Sequence, residues 1–455
     1  MVFSSVTFLF AFLPITLILN VVSRGKWRNM ALLLMSLVFY AWGEPIYIFL
    51  MLAMAIMNYG LSFFLQSKRK KPILILSLII NFGVLGYFKY AGFFADNINF
   101  LFGGDLAIHD LALPIGISFY TFQIVSYMID VYRGQEKVQK NFFNLLLYIT
   151  FFPQLIAGPI VKYHEVAAQI ESRTITNEKF VYGVERFALG LAKKVLIANQ
   201  VAIVVDTIYQ NDAFSFASSW IIQILYVFQI YFDFSGYSDM AIGLGRMFGF
   251  EYLENFRQPL RSLGIRDFWR RWHISLNTWF TEYLYIPLGG SRGTKDRTIF
   301  NNFVVFFFTG FWHGASWNFI IWGIYNWFFV MLERYRIDLK KWPKPLIHIY
   351  TLFVTVVGFT PFRAEGTEAL TVLSHMFNPF KSASPEATIQ LQSLITPWTI
   401  FVIVIAIVLS LTPFVDKLRE SKKNTLKSVI VAAIFILSLL ALSTDTYNPF
   451  IYFRF

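Results

Sequence analysis

The stretch IFNNFVVFFFTGFWHGASWNFIIWGIYNWFFVM, residues 299–331, decides how this chain is built. Two apolar runs, residues 299–311 and 318–331, flank a short turn that contains His313. Basic residues precede the first run and follow the second, so both ends are expected on the same side of a membrane. The pattern predicts a re-entrant hairpin whose tip carries His313 into the protein interior, because irregular backbone at membrane depth must be buried in protein.

The composition of the whole chain agrees with a membrane location. Of 455 residues, 56% are hydrophobic, 19% are aromatic and only 15% are charged, whereas soluble domains carry about 25% charged residues. Repeated apolar stretches reach the ~20 residues with which a helix crosses a bilayer. We therefore predict an all-α polytopic integral membrane protein, with about 10–12 transmembrane helices plus re-entrant and interfacial helices. One membrane domain over residues 1–455 is expected.

The net charge of +12 does not indicate nucleic-acid binding. Lysines and arginines fall in short loops between the predicted spans, at residues 24–28, 68–71, 334–344 and 417–427. Such loops are typical of the cytoplasmic side of a membrane protein. The loop at residues 96–113 contains Asp96, Asp105 and Asp110 but no lysine or arginine, so it is expected outside.

The loops define a provisional order of spans. The predicted spans are residues 3–22, 29–42, 46–66, 72–94, 114–132, 187–209, 220–234, 345–362, 398–414 and 428–442. Residues 142–160 form either a full span or a re-entrant piece, because Pro153 and the Ala157-Gly158-Pro159 triplet break a helix. Residues 251–297 combine seven arginines with many aromatic side chains. Lipid-buried arginines at this density would be costly, so this segment is predicted to be an interfacial bundle on the cytoplasmic side.

Candidate reactive side chains are few. The absence of cysteine excludes disulfides, thiol nucleophiles and cysteine-based metal sites. No two of the six histidines have the i, i+4 spacing of a zinc site, and serine-triad and P-loop motifs are missing, so no metal is predicted. His109, His164, His348 and His375 are expected in loops or at membrane boundaries. This leaves His313 and His273. The alternative interpretation of His313 is a hydrogen bond to a neighbouring helix, and that of His273 is an interfacial Arg-Trp-His cluster that snorkels to the membrane surface.

Two predicted spans also carry polar side chains. They are Ser118, Tyr120, Thr121, Gln123, Ser126, Tyr127 and Asp130 in one, and Tyr231, Asp233, Ser235, Tyr237, Ser238 and Asp239 at the end of another. These sets exceed what helix contacts usually require and indicate a hydrated internal cavity. The residues alone leave two classes open: an enzyme with a membrane-embedded site, and a transporter of a lipid or sugar.

A series of motifs favours the enzyme. They are PIGISFYTFQ at 114–123 with YMIDVY at 127–132, FPQ at 152–154 with AGPI at 157–160, YFDFSGYSDMA at 231–241, NF at 255–256 with FWRRWHISLNTW at 268–279 and YIPLGG at 285–290, FWHG at 311–314, and the opening MVFSS. Together they resemble the membrane-bound O-acyltransferase family, in particular the bacterial branch that O-acetylates exported polysaccharides such as alginate. The resemblance extends from the N-terminus to about residue 327.

This resemblance implies a function and its participants. It implies that His313 is the catalytic histidine and His273 the second, less uniform one, in a funnel or tunnel through the bilayer. An acyl thioester, acetyl-coenzyme A, would enter from the cytoplasm, and no bound cofactor is implied. The acetyl group would pass outward across the bacterial cytoplasmic (inner) membrane to a polysaccharide, often through a partner with a serine-hydrolase-like (SGNH) fold. Transfer of another acyl unit, such as D-alanine from a carrier protein, is the alternative.

Further side chains have chemically sensible roles in such a reaction. Donors near the developing oxyanion would lower the barrier, and Asn277, Trp312 and Ser316 are the candidates. A basic cluster would hold the phosphates of the donor, with anionic lipid headgroups as the alternative ligand. Its members are Arg257, Arg261, Arg270 and Arg271. Tyr237 and Asp239 are further candidates for substrate binding.

Overall fold

The computed structural model describes residues 1–106, 112–156, 158–364, 366–381, 385–415, 418 and 424–444. These residues form helices and connecting loops, with no strand among them, which confirms the all-α prediction. His109, Ala157 and much of the basic run at residues 417–427 lie outside the described residues.

The helices follow one another closely along the chain. They are α1 (Leu13–Val22), α2 (Lys26–Gly43), α3 (Tyr47–Phe64), α4 (Lys70–Phe102), α5 (Ile117–Arg133), α6 (Phe142–Thr150), α7 (Phe152–Leu155), α8 (Tyr163–Glu171), α9 (Asn177–Ala192), α10 (Asn199–Gln210), α11 (Phe216–Met247), α12 (Ile265–Arg271), α13 (Ile274–Phe280), α14 (Lys295–His313), α15 (Trp317–Tyr335), α16 (Lys344–Gly358), α17 (Thr360–Arg363), α18 (Glu368–Met376), α19 (Pro385–Leu394), α20 (Pro397–Leu411) and α21 (Asn424–Thr444). The described residues also form three π-helical segments, Phe8–Phe12, Lys193–Ala198 and Thr281–Tyr285. Two 3-10 turns are Pro259–Arg261 and Leu339–Lys341.

Several helices are long and apolar enough to cross a membrane. Among the described residues, five meet both criteria: Tyr47–Phe64, Lys70–Phe102, Asn177–Gln210, Lys344–Arg363 and Thr425–Thr444. A sixth span results if Thr388–Leu394 and Pro397–Leu411, which are bent by 71°, count as one. The protein is therefore a multi-pass membrane protein. The count of 10–12 spans stays a prediction, because other predicted spans correspond to shorter or more polar helices, such as α5 with 17 residues.

The predicted break at residues 142–160 is present. Helix α6 ends at Thr150, and the four-residue α7 follows with Pro153 in its first turn, where a proline has no donor to lose. A side chain at Gly158 would collide with the backbone of Pro153 and Gln154. The segment is thus two short helices joined by a tight turn.

The described chain forms two compact units, Met1–Phe187 with Met240–Leu253, and Ala188–Asp239 with Glu254–Phe455. In the first unit, buried phenylalanines pack ring to ring. They are Phe3, Phe8, Phe12, Phe39 and Phe152. Fully buried Asn58 and Asn81 join α3 to α4 through a 3.0 Å hydrogen bond, a polar contact that suits helices packed away from water. The single domain over residues 1–455 stays a prediction.

In the second unit, α14 and α15 form the hairpin expected from residues 299–331. The two helices run antiparallel, since Trp327 Nε1 on α15 donates to the Ile299 carbonyl on α14 at 3.2 Å. Near the tip, Gly310 faces Gly323, and a Cβ at Gly310 would lie 3.4 Å from the Gly323 Cα and would overlap the Phe319 carbonyl. Small residues allow such close backbone approach. The hairpin therefore brings His313 to a fixed point against α15.

Candidate active site

His313 is the last residue of α14. The helix ends there because Gly314 has extended backbone, and a Cβ at Gly314 would collide with the Phe319 ring. The His313 side chain is only 4% exposed. Its ring centroid lies 5.2 Å from that of Trp322 and 5.1 Å from that of Phe362, both nearly edge to face. This aromatic packing fixes the imidazole in one orientation.

His273 lies at the N-cap of α13 and is 2% exposed. Its φ of +44° lies in the left-handed region, which is uncommon for a residue other than glycine and often marks a functional site. Phe234 packs edge-on against its ring at 4.6 Å. Burial lowers the pKa of His273 to about 3, because desolvation disfavours the cation. The imidazole is therefore neutral at physiological pH.

The two histidines line one cavity, with their ring centroids 6.5 Å apart. The cavity has a volume of about 230 Å³, slightly below the ~300–1,000 Å³ of typical small-molecule sites. Its lining comes from α12 to α15: Arg266, Trp269, Arg270, Trp272, His273, Leu276, Asn277, Phe280, Thr281, Tyr285, Asn302, Val305, Phe306, Thr309, His313, Val330 and Arg334. A short substrate group fits beside both imidazoles.

Three arginines give one part of this lining a positive charge. Arg266 and Arg270 project from α12 and are exposed, and Arg334 at the end of α15 is half-buried. Among the described residues, no aspartate or glutamate lines the cavity. An anionic group, such as a phosphate, would bind there favourably through charge-assisted hydrogen bonds. The cavity thus combines a cationic rim with a buried pair of imidazoles.

Helix α12 is held in place by a carboxylate from the hairpin. Buried Glu333 on α15 accepts hydrogen bonds from the backbone N–H groups of Ile265 at 2.5 Å and Arg266 at 2.9 Å. These are N–H groups of the first turn, which have no partner inside their own helix. The Gly264 N–H donates to the Thr351 hydroxyl at 2.8 Å. The arginines of α12 are consequently positioned by the same hairpin that positions His313.

The three predicted oxyanion donors have different surroundings. Asn277 lines the cavity, and its Nδ2 donates one hydrogen to the Trp269 carbonyl at 2.8 Å, which leaves its second N–H for a substrate. Trp312 is buried against His313, with ring centroids 4.9 Å apart, but does not line the cavity. Ser316 caps α15, where its hydroxyl accepts from the Asn318 N–H at 3.3 Å. Asn277 is therefore the predicted donor whose position suits the role.

The predicted basic cluster is divided in the structure. Arg270 lines the cavity, whereas Arg257 and Arg261 are exposed elsewhere. Arg271 is paired with Asp267 at 3.0 Å, one turn earlier on the same helix. Helical periodicity explains this difference, because neighbouring positions on a helix point about 100° apart. Of the four arginines, only Arg270 lines this cavity, and binding of the donor phosphates by the cluster stays a prediction.

Tyr237 and Asp239 also lie away from the cavity. Both are buried in α11, and neither lines the cavity. Asp239 forms an ion pair with Lys193 at 2.6 Å, and the neighbouring Asp233 forms one with Lys194 at 2.7 Å. These side chains pair α11 with the π-helical segment Lys193–Ala198. A role of Tyr237 and Asp239 in substrate binding stays a prediction.

Sequence reasoning assigned no individual role to three residues: Arg266 and Arg334, which line the cavity, and Asn255, which contacts His273. Arg266 belongs to the arginine-rich segment already identified, and its i, i+4 spacing from Arg270 on a helix would have paired the two. Arg334 looked like an ordinary cytoplasmic-loop cation. Asn255 is fully buried and its Oδ1 lies 3.1 Å from His273 Nδ1. No local sequence signal reveals this contact between residues 18 positions apart.

Comparisons with known proteins assign the segment that contains this cavity to a family. Residues 134–349, which include both histidines, match the family model described as MBOAT, membrane-bound O-acyltransferase family. The chain is 38% identical to the probable alginate O-acetylase AlgI of Pseudomonas putida, with 100% of both chains covered.

Two more distant relatives act on cell-wall polymers by name. The chain is 36% identical to the peptidoglycan O-acetyltransferase of Helicobacter pylori, over 83% of this chain and 80% of the relative. It is 28% identical to the teichoic acid D-alanyltransferase of Bacillus subtilis, over 56% of this chain and 70% of the relative. The identity over the full length, together with the matched family segment, shows that this chain belongs to the membrane-bound O-acyltransferase family and is an O-acyltransferase.

Proposed function

We propose that this enzyme takes an acetyl group from acetyl-coenzyme A at the cytoplasmic side and delivers it outward, for O-acetylation of an exopolysaccharide or cell-wall polymer. The observation that carries the proposal is the cavity shared by His313 and His273, with arginines along one part of its lining. The relatives named for alginate and peptidoglycan O-acetylation support the polymer acceptor. The location is the bacterial cytoplasmic membrane.

The size of the cavity favours a short acyl group. A volume of about 230 Å³ lies below the range of typical small-molecule sites and is lined by large aromatic side chains such as Trp269, Trp272 and Phe280. An acetyl group with the adjoining thioester fits this space, whereas a long fatty acyl chain requires a longer channel. The phosphates of coenzyme A would then lie against Arg266, Arg270 and Arg334.

The proposed chemistry is a direct transfer from sulfur to oxygen. The neutral His313 imidazole takes the proton of the attacking hydroxyl as its oxygen bonds to the acetyl carbonyl carbon. The C–S bond then breaks, the sulfur leaves with the electron pair, and the imidazolium returns the proton to give free coenzyme A thiol. Asn277 lines the cavity, and its second N–H would stabilise the oxyanion.

The attacking hydroxyl belongs either to the polymer or to an intermediate carrier. A serine hydroxyl of an extracytoplasmic partner with a serine-hydrolase-like (SGNH) fold is the carrier that we propose. Such a partner would accept the acetyl group and pass it to the polysaccharide. In both cases the same proton transfer by His313 applies.

A second candidate is transfer of D-alanine from a carrier protein. It is favoured by the similarity to the Bacillus subtilis teichoic acid D-alanyltransferase, although that match covers 56% of this chain. The carrier's arm has a single phosphate beside its thioester, so the arginine-lined part of the cavity would still be used. Mass analysis of the modified polymer separates the candidates, since acetyl and D-alanyl groups add different masses.

The direct test uses the purified enzyme in liposomes with acetyl-coenzyme A labelled in its acetyl group. The chain contains no cysteine, so a thiol-reactive reagent reports released coenzyme A without a protein background. We expect release that depends on His313 and on an acceptor hydroxyl. The absence of release with both acceptor and partner present would contradict an acetyl-coenzyme A donor.

Arginine variants test the phosphate-binding part of the cavity. Arg270→Gln and Arg334→Gln are each expected to raise the KM for acetyl-coenzyme A ~5-fold, or ~1 kcal/mol, with a smaller change in kcat. The effect should decrease as salt rises, because exposed charges are screened. Steady-state kinetics at low and high salt measure it.

Arg261→Gln is the matched control, because Arg261 is exposed, bonded to Gln258 at 2.5 Å and outside the cavity. It removes the same charge from the same segment of chain. If Arg261→Gln raised the KM as much as Arg270→Gln, general surface charge rather than a phosphate site would explain the effect.

A further inference from the structure

Asn255 connects three parts of the active-site region and is fully buried. Its backbone carbonyl accepts from the Ile274 N–H at 2.9 Å, and its Nδ2 donates to the Ser238 hydroxyl on α11 at 2.9 Å. Its Oδ1 lies 3.2 Å from the Ser275 N and 2.9 Å from the Ser275 Oγ. The side chain of Asn255 therefore holds the first turn of α13 against α11.

These contacts determine which amide atom of Asn255 faces His273. A backbone N–H can only donate, so the atom that meets the Ser275 N–H must be the amide oxygen. The same oxygen lies 3.1 Å from His273 Nδ1. An oxygen of a primary amide only accepts, so a hydrogen bond between these two atoms requires the proton on Nδ1. The Ser275 hydroxyl is the other group near Nδ1, but it lies farther away at 3.5 Å and makes its shorter contact, 2.9 Å, with the Asn255 Oδ1. The Ser275 N–H thus determines the orientation of the Asn255 amide, and the amide orientation determines the tautomer of His273.

We infer that Asn255 is a positioning residue that holds His273 in the Nδ1–H tautomer, so that Nε2 offers a lone pair to an N–H or O–H group of the substrate. The inference rests on the proposed reaction at this cavity. Nε2 is on the ring edge away from Nδ1, and His273 lines the cavity. The substrate donor is either an amide N–H of the thioester arm or the hydroxyl of the acceptor.

This assignment gives the two histidines different tasks. A neutral imidazole that presents a lone pair cannot donate to an oxyanion, so His273 accepts a hydrogen bond and orients the substrate. Burial lowers the pKa of His273 to about 3, so its neutral form persists around physiological pH. His273 then adds no inflection to the pH–rate profile in that range, and proton transfer is left to His313.

The strained backbone of His273 explains why a separate residue must orient it. With φ at +44°, His273 is held at the start of α13 by its neighbours rather than by its own preference. Asn255 binds both Ile274 and Ser275, the two residues that follow His273. Loss of the Asn255 side chain would release Ser275 and the His273 imidazole, whereas the Ile274 contact to the Asn255 backbone carbonyl would remain.

The first measurement is the nitrogen spectrum of the full-length enzyme in lipid, labelled with ¹⁵N-histidine. The signals of His273 are identified by their loss in the His273→Gln variant. We expect Nδ1 to show an attached proton and Nε2 to show none. A proton on Nε2 in the wild-type enzyme would overturn the inference, and this result needs no variant of Asn255.

Kinetics of two variants complete the test. Asn255→Ala is expected to lower kcat ~10- to 100-fold, the loss that follows when metal-bound imidazoles lose an orienting partner, and to give mixed tautomers. Asn255→Asp keeps an acceptor for Nδ1–H and is expected to restore most of kcat. Because a carboxylate favours the imidazolium, it should also add an acid-side inflection to the pH–rate profile.

The controls separate this inference from the proposed function. Full kcat in a folded Asn255→Ala enzyme, or an Asn255→Asp enzyme as slow as Asn255→Ala, would overturn the positioning role. If the main effect of Asn255→Ala is an increased KM for acetyl-coenzyme A, His273 binds the thioester arm. If only kcat falls, His273 binds the acceptor. A wild-type enzyme that transfers no acetyl group would contradict the proposed function, while the tautomer would still be read from the spectrum.

Discussion

Replacement of His313 by glutamine is expected to lower the rate of acetyl transfer ~10²- to 10⁴-fold, the usual contribution of a positioned general base. Glutamine retains a polar group of similar size but cannot accept the hydroxyl proton at neutral pH. Because the loss is one of proton transfer, kcat should fall while the KM for acetyl-coenzyme A changes little. Release of coenzyme A thiol by the enzyme in liposomes measures both parameters.

His375→Gln is the matched control for this substitution. His375 lies outside the cavity, at the end of α18, where its Nδ1 is 2.9 Å from the Thr371 carbonyl oxygen. It should retain full activity. A His313→Gln enzyme with unchanged melting temperature and more than about a tenth of wild-type kcat would remove His313 from the role of general base.

Replacement of Gly310 by alanine is expected to disrupt the α14–α15 hairpin. The added Cβ would overlap the Phe319 carbonyl oxygen, which is backbone and cannot rotate away. Helix α14 would have to separate from α15, and overpacking of this kind typically costs ~1–3 kcal/mol or more. The expected results are a lower melting temperature in detergent and reduced transfer activity, because His313 is three residues further along α14.

Gly86→Ala is the control for the Gly310 substitution. Gly86 lies inside α4, and nothing lies within 4 Å of an added Cβ there. Alanine should leave the melting temperature unchanged or raise it, since it favours helix by up to ~1 kcal/mol over glycine. Equal stability of the Gly310→Ala and Gly86→Ala proteins would show that the hairpin tolerates a wider separation of its helices.

The hairpin and its histidine could be predicted from sequence because the signal is local. The signal consists of two apolar runs, a turn with glycines between them, and basic residues at both ends. This pattern predicts two antiparallel helices independently of the rest of the sequence. His273 is different, because only the resemblance to a family distinguished it from an interfacial histidine. The structure places both residues on one cavity, and their catalytic roles stay predictions that the variants above test.

The composition of the cavity could not be predicted, because it depends on which face of each helix turns inward. Arg270 and Arg271 are adjacent in sequence, yet one lines the cavity and the other pairs with Asp267. Arg334 lines the same cavity from the C-terminal end of α15, 64 positions after Arg270 in the sequence. Tertiary packing, which periodicity alone does not specify, decides these positions.

Buried polar residues in α11 illustrate the same limit. Their number predicts a hydrated internal cavity, and a role for them in such a cavity stays a prediction. Asp233 and Asp239 neutralise Lys194 and Lys193, so their charges are compensated within the helix packing. A charge pattern within one predicted span does not reveal a partner that lies in another.

The position of His313 at the very end of α14 has an electrostatic consequence for the reaction. Backbone dipoles along a helix sum to a partial negative charge at its C-terminus, where the last carbonyl groups have no partner within the helix. In the proposed reaction, His313 takes the hydroxyl proton, and the new positive charge would form at the negative end of a 19-residue helix. That arrangement stabilises a cation by about 0.3–1 kcal/mol, and up to ~2 kcal/mol where it is partly buried. A histidine in the middle of the same helix would lack this contribution, because the carbonyl groups there are already engaged by N–H groups of the next turn.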